Sequence, residues 1–185
     1  MSERSGDWQL MASGRRVWPL DPRPEDIDIG DIAHHLSRIC RWNGATRRHY
    51  SVAEHSYALA LHFRLQGNLE LARWALLHDA AEAYTGDIVR PLKRAIDIGH
   101  IERRLERVIW PKFGLHGELP REVLRADTAI LGDERDQLFE DGGAHAAAKR
   151  AGETGIGVAL WQLTAPEAKA FFLAEFSRLF LETRS

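Results

Sequence analysis

The 185-residue chain has one cysteine, two methionines and no long apolar run. No stretch approaches the roughly 18 consecutive apolar residues that a membrane span requires. Cys40 alone excludes an internal disulfide and fits a reducing compartment. The N-terminus lacks the basic segment followed by an apolar core that marks a secretory leader. A cytoplasmic protein with no membrane partner is therefore expected. Charge of one sign is also missing: 25 Lys and Arg face 27 Asp and Glu, a net charge of -2. That argues against a general nucleic-acid binder, which carries a basic excess, so no stable nucleic-acid partner is expected. There is no internal repeat, and no alternating apolar run is long enough to claim a sheet.

What is present is helical. Residues 1–26, with the string WPLDPRPED, read as an extended arm, and residues 27–185 as one domain. Ile32, Leu36 and Ile39 give a short helix with Asp31 as its N-cap. Ser51 and Glu54 form the pattern S-x-x-E, a capping box that starts a helix at Ser51. The stretch LELARWALLHDAAEAY is apolar nearly all round and predicts one central helix, ended by TGD and Pro91. HIERRLERVI buries Ile98, Ile101, Leu105 and Val108, and REVLRADTAILGDERDQLF follows Leu119-Pro120. Gly142 to Gly157 reads as a loop. Thr164 and Glu167 make a second capping box before APEAKAFFLAEFSRLF. The fold class is all-α, a single helical bundle.

Helical spacing then singles out polar residues on inward faces. Val52, His55, Leu59 and His62 share one face, because residues three or four apart are neighbours. His78 and Glu82 project together, with Asp79 about 100° round the helix. Asp127 and Glu134 fall on the stripe of Val123, Leu124, Ile130, Leu131 and Leu138. A lone inward histidine is usually a hydrogen-bonded core residue, and a lone inward aspartate pairs with an arginine about as often as not. Four together on three helices, His55, His78, Asp79 and Asp127, read instead as a ligand set. Two imidazoles and two carboxylates suit a divalent metal of intermediate hardness with water in the open positions, which is a catalytic rather than a structural arrangement.

These strings resemble the HD-domain metal-dependent phosphohydrolases, whose pattern is a first His, an adjacent His-Asp pair and a final Asp. Here the pattern is carried by His55 in SVAEHS, His78-Asp79 in LLHDAAEAYTGD, and Asp127 in RADTAILGDERD. The likeness spans roughly residues 28–140. Within the family it is closest to small nucleotide phosphohydrolases: bacterial 5'-deoxynucleotidases and phage deoxynucleoside triphosphohydrolases. The resemblance implies an HD-domain helical bundle and one divalent ion drawn from Co, Mn, Zn, Ni, Fe or Mg. It implies Glu82 as the acid or base beside the attacking water, and Asp87 as a pocket residue that could equally cap the next turn. Arg41 and Trp42 in ICRWNG match the family's pair ahead of the first His. Arg41, then Lys93, are the phosphate-binding candidates, since guanidinium and ammonium groups pair with phosphate oxygens. Trp42 suits a base or sugar wall.

The expected activity is release of phosphate from deoxynucleoside 5'-monophosphates, with a nucleotide substrate as partner and a homodimer or higher homo-oligomer allowed. Two alternatives stand beside it. One removes triphosphate from a deoxynucleoside triphosphate; the other, of a different class, is a non-catalytic HD-like module that binds a nucleotide or a protein. His34 and His35 have no assigned role. His100 faces away from its helix's apolar stripe and His116 lies in a loop, so they make a poor second metal site.

Overall fold

Ser51 accepts the Glu54 backbone N–H at 3.2 Å and opens α2 (Val52–Leu65). Asn68 does the same for α3 (Leu69–Leu77) through the Leu71 amide at 3.1 Å. A short polar side chain at these positions satisfies amides that the helix itself leaves open. Gly67, at φ +78°, makes the tight turn between the two helices without a Cβ penalty. In this computed structural model, residues 4–140 and 153–182 are described.

The remaining helices are α1 (Ile29–Leu36), α4 (Glu82–Thr85), α5 (Arg90–Lys93), α6 (Gly99–Lys112), α7 (Arg121–Leu138) and α8 (Ala165–Phe180). α2 packs on α3 and α8, α1 and α3 also lie against α8, and α7 reaches both α2 and α3. Leu59, Leu76, Leu77, Ile109, Ile130, Leu138 and Phe172 are fully buried in one cluster drawn from α2, α3, α6, α7 and α8. Each such side chain contributes roughly 1.5–3 kcal/mol through removal from water. α8 opens as its capping residues imply: the Glu167 carboxylate accepts the Thr164 amide at 2.8 Å and its hydroxyl at 2.6 Å. Among the described residues, no helix is long and apolar enough to cross a membrane.

The structure departs from the expectations in four places. Asp28, not Asp31, caps α1, accepting the Gly30 and Asp31 amides at 2.8 and 3.2 Å. Asp31 is buried in the first turn, where its carboxylate holds the Ser13 amide and hydroxyl at 2.8 and 2.6 Å. The N-terminal segment is more than an extended arm. It contains a two-stranded antiparallel sheet, β1 (Gln9–Leu10) with β2 (Arg16–Val17), and it delivers Met11 and Val17 into the core. Two-residue strands are too short to show an alternating pattern, so the sequence carries no signal for them. Leu124, placed on the inward stripe of α7 by spacing, is exposed.

The fourth departure shapes the site. The central helix is not continuous: α3 ends at Leu77, and residues 78–81 form a tight turn before α4. Its amides bond three residues back (Ala80 to Leu77, Glu82 to Asp79, Ala83 to Ala80), the tighter 3₁₀ pattern. Of the expected loop at Gly142 to Gly157, residues up to 152 lie outside the described residues. Residues 153–163 run without regular structure. The Gly155 amide bonds Ala129 O at 2.8 Å, and Asp133 accepts the Ile156 and Gly157 amides at 2.6 and 3.1 Å, so part of this segment rides on α7.

Candidate functional site

α2 presents His55, the end of α3 presents His78, the tight turn presents Asp79 and α7 presents Asp127. One ligand atom from each lies within 4.8 Å of every other. His55 Nε2 is 3.1 Å from Asp127 Oδ1 and 3.7 Å from Asp79 Oδ2; His78 Nε2 is 3.1 Å from Asp79 Oδ2 and 3.7 Å from Asp127 Oδ1. In the tight turn the adjacent His78 and Asp79 both contribute to the cluster, with His78 Nε2 against Asp79 Oδ2. The histidines are buried, and the aspartates are partly open.

The chemistry of this set fits a cation. His78 Nδ1 lies 2.7 Å from Ala75 O, an acceptor only, so Nδ1 carries the proton and Nε2 turns its lone pair to the cluster. His78 Nε2 has no hydrogen-bond partner despite two carboxylate oxygens within 3.7 Å. His55 Nδ1 is likewise engaged, 2.7 Å from Glu134 Oε1. An outer acceptor on each ring is the arrangement by which proteins fix metal-binding imidazoles. Without a cation, burial lowers both imidazoles, but the carboxylates prevail: His78 is driven well above its ordinary value and His55 above its own. Burial opposes ionisation of Asp79, yet the neighbouring His78 charge brings it down to about 2. The cluster thus calls for two positive charges, which one divalent ion can provide in place of two protons. His100 is exposed beside Asp97 and His116 is exposed; neither enters a metal-like group among the described residues.

A cleft of about 500 Å³ opens beside this cluster, lined by Asp79 and Asp127 and by the other candidates Arg41, Trp42, Glu82, Asp87 and Lys93. All the sequence-derived site residues except the two histidines therefore meet at one surface. Glu82 keeps one buried oxygen without a partner and has the other 3.7 Å from Lys93 Nζ. Burial, with Asp79 and Asp87 adding like charge, pushes its carboxyl well above the usual range. Asp87 is raised chiefly by burial. Lys93 is 2.8 Å from the buried Glu102.

Arg41 and Trp42 line the cleft from a turn that is tied to α7. The Arg41 guanidinium is buried, with Nε 3.1 Å from Glu134 Oε1 and Nη1 3.7 Å from Asp79 Oδ2. Trp42 and Asn43 take φ +56° and +52°, and Gly44 follows at +75°, a left-handed turn. For an ordinary residue that conformation costs roughly 1–2 kcal/mol. The Trp42 indole N–H donates to Glu134 Oε2 at 2.7 Å, and its ring meets Phe139 edge-on at 5.2 Å.

Glu134 is the residue sequence reasoning passed over. Its place on the inward stripe of α7, seven residues from Asp127, was the available signal. Arg135 and Glu153 are two more: they pair at 2.6 Å and both line the cleft. No spacing rule connects them, because Glu153 arrives from the irregular segment.

The comparisons with known proteins agree with this geometry. A family profile described as an HD domain matches residues 33–109, which include His55, His78 and Asp79. An uncharacterized protein of Rhodobacter capsulatus is 44% identical, the match covering 71% of this chain and 72% of that protein. An uncharacterized protein of Escherichia coli, YfdR, is 40% identical over the same shares, 71% and 72%. HD domains bind divalent metals and are in general hydrolases of phosphate esters. With an adjacent His-Asp pair, a His before it and an Asp after it gathered around one point, the chain belongs to the HD-domain family.

Proposed function

We propose that this chain is a metal-dependent phosphohydrolase that releases phosphate from deoxynucleoside 5'-monophosphates. The observation that carries the reading is the shared cleft: Asp79, Asp127 and Glu82 line the same cavity of about 500 Å³ as Trp42 and several cations. That volume is within the roughly 300–1,000 Å³ of small-molecule sites. His55, His78, Asp79 and Asp127 would hold a divalent ion, whose chemistry when bound would be to lower the pKa of water and polarise a phosphoryl oxygen. Glu82 lines the cleft with one oxygen unpartnered and takes the proton of the attacking water there. The water oxygen forms the new bond to phosphorus, the bond to the 5' oxygen breaks, and Glu82 returns the proton to that leaving oxygen. Trp42 provides a flat apolar wall against a sugar that lacks a 2'-hydroxyl.

Charge balance favours a monophosphate. Each cationic side chain lining the cleft already has a carboxylate within 4 Å: Arg41 has Asp79 and Glu134, Arg90 has Asp127, Lys93 has Glu102, and Arg135 has Glu153. Little positive charge is left over for the several negative charges of a triphosphate. Arg90 is the most exposed of the four, and among the described residues it pairs through a 3.5 Å contact, so it can turn to a phosphate at least cost.

The test is a screen of purified protein loaded with Mn²⁺ or Co²⁺ against deoxy- and ribonucleoside mono-, di- and triphosphates. Inorganic phosphate and a free deoxynucleoside from the monophosphate are expected. Inorganic triphosphate from a triphosphate substrate would replace this reading with the triphosphohydrolase. Metal-loaded protein that turns over none of them would leave a binding module.

A further inference from the structure

We propose that Glu134 is a positioning residue that ties the metal centre to the substrate cleft: one buried carboxylate fixes the ring state of His55 and holds both Arg41 and Trp42. Glu134 has no exposed surface. Oε1 lies 2.7 Å from His55 Nδ1, accepts the Tyr50 hydroxyl at 3.0 Å and is 3.1 Å from Arg41 Nε. Oε2 accepts the Trp42 indole N–H at 2.7 Å and Arg41 Nη2 at 3.3 Å. Four side chains from three places in the chain thus converge on two oxygens. The ionised carboxylate is an acceptor only, with about four lone-pair sites; the bonds from His55, Tyr50, Trp42 and Arg41 Nη2 match that number, and Arg41 Nε adds an ion-pair contact.

Two consequences follow from the acceptor-only character. First, His55 must present Nδ1–H to Glu134, which leaves Nε2 facing the ligand cluster; an amide at 134 could offer N–H instead and reverse the ring. Second, the left-handed backbone at Trp42 and Asn43 is held by the indole bond at one end and by the Arg41 amide on Tyr50 O at 2.9 Å at the other. Strained backbone of this kind persists only where its surroundings over-determine it. The same carboxylate therefore sets the metal ligand and the cleft wall, and the two cannot be tuned separately. The inference rests on the metal-site reading but not on a nucleotide being the substrate.

The experiment measures Zn²⁺ affinity by calorimetry for wild type, Glu134→Gln and Glu175→Gln. Glu175 is a matched control, a buried carboxylate 2.6 Å from Arg64 that lies outside the cleft. An outer partner of a metal-binding histidine typically changes metal affinity by about 10- to 100-fold, and a loss in that range is expected for Glu134→Gln. Glu175→Gln should lower the melting temperature and leave Zn²⁺ affinity unchanged. A second readout needs no variant: ¹⁵N-resolved NMR of the Zn²⁺-loaded wild type should show the His55 Nδ1 proton, shifted downfield by its short hydrogen bond. Equal Zn²⁺ affinity in wild type and Glu134→Gln would overturn the proposal, as would a His55 ring protonated at Nε2. Failure of wild type to bind Zn²⁺ would overturn the metal reading itself.

Discussion

Replacing Gly132 with alanine sets two effects of opposite sign against each other. Gly132 sits within α7. On helix propensity alone, alanine should stabilise an interior glycine position by about 1 kcal/mol. The structure opposes this. A Cβ built at Gly132 would lie 2.4 Å from the Gly155 amide nitrogen and 3.0 Å from Glu153 O, both of them backbone atoms. Relief requires moving the 153–155 segment by the better part of an ångström, and overpacking of this kind costs typically about 1–3 kcal/mol. The same movement lengthens the Gly155 bond to Ala129 O, now 2.8 Å, for a further loss of about 1 kcal/mol. The balance is a net destabilisation of roughly 1–3 kcal/mol. At roughly 2–4 °C per kcal/mol for a chain of this size, a melting temperature lower by several degrees should follow. Because Glu153 is carried on the displaced segment and pairs with Arg135 in the cleft, KM should also rise while Zn²⁺ affinity holds. Differential scanning calorimetry with a parallel metal titration reads both. A melting temperature equal to or above wild type would refute the packing argument, since propensity alone would then suffice.

Asp127→Ala should abolish stoichiometric divalent-metal binding, read by elemental analysis after dialysis, while circular dichroism stays helical; unchanged metal content would remove Asp127 from the ligand set. Glu82→Gln should keep its metal but lose about 100- to 10,000-fold in kcat, the usual scale for a proton-transfer group, and full activity would end that role. Trp42→Ala should change the ratio of kcat/KM between deoxy- and ribonucleotides; an equal loss on every substrate would make Trp42 a packing residue only. His35 yields a pH prediction. Its Nε2 accepts the Ala12 amide at 3.3 Å, and burial, the largest influence, lowers its pKa below the ordinary value. With the folded pKa depressed, its contribution is fully present above the unfolded pKa of about 6.5 and is lost as pH falls through the folded value. Hydrogen exchange at the Ala12 amide should therefore quicken, after correction for intrinsic rates, between pH 7.5 and pH 5. Exchange that does not respond would show that the β1–β2 segment does not depend on neutral His35.

Local chemistry made much of this protein legible before folding. Ser51 and Thr164 announced helices because their capping reads out over three residues, and the helix period alone put His55 and Asp127 on inward faces. The adjacent His78 and Asp79, with Glu82 a turn later, marked the chemistry because ionisable groups are seldom buried without a partner. The structure was needed wherever the cause was non-local. The break after Leu77 puts His78 and Asp79 in a tight turn, although the surrounding string reads as continuous helix. Val17 and Met11 join a core whose members run from Ile27 to Phe180, and no two-residue strand advertises itself. Glu134 stood on the right face of α7, but its significance lies in Arg41, Trp42, Tyr50 and His55, 79 to 93 residues away. Periodicity records which way a side chain points on its own helix; only packing between helices decides what it meets, and here that decided which buried carboxylate holds the site together.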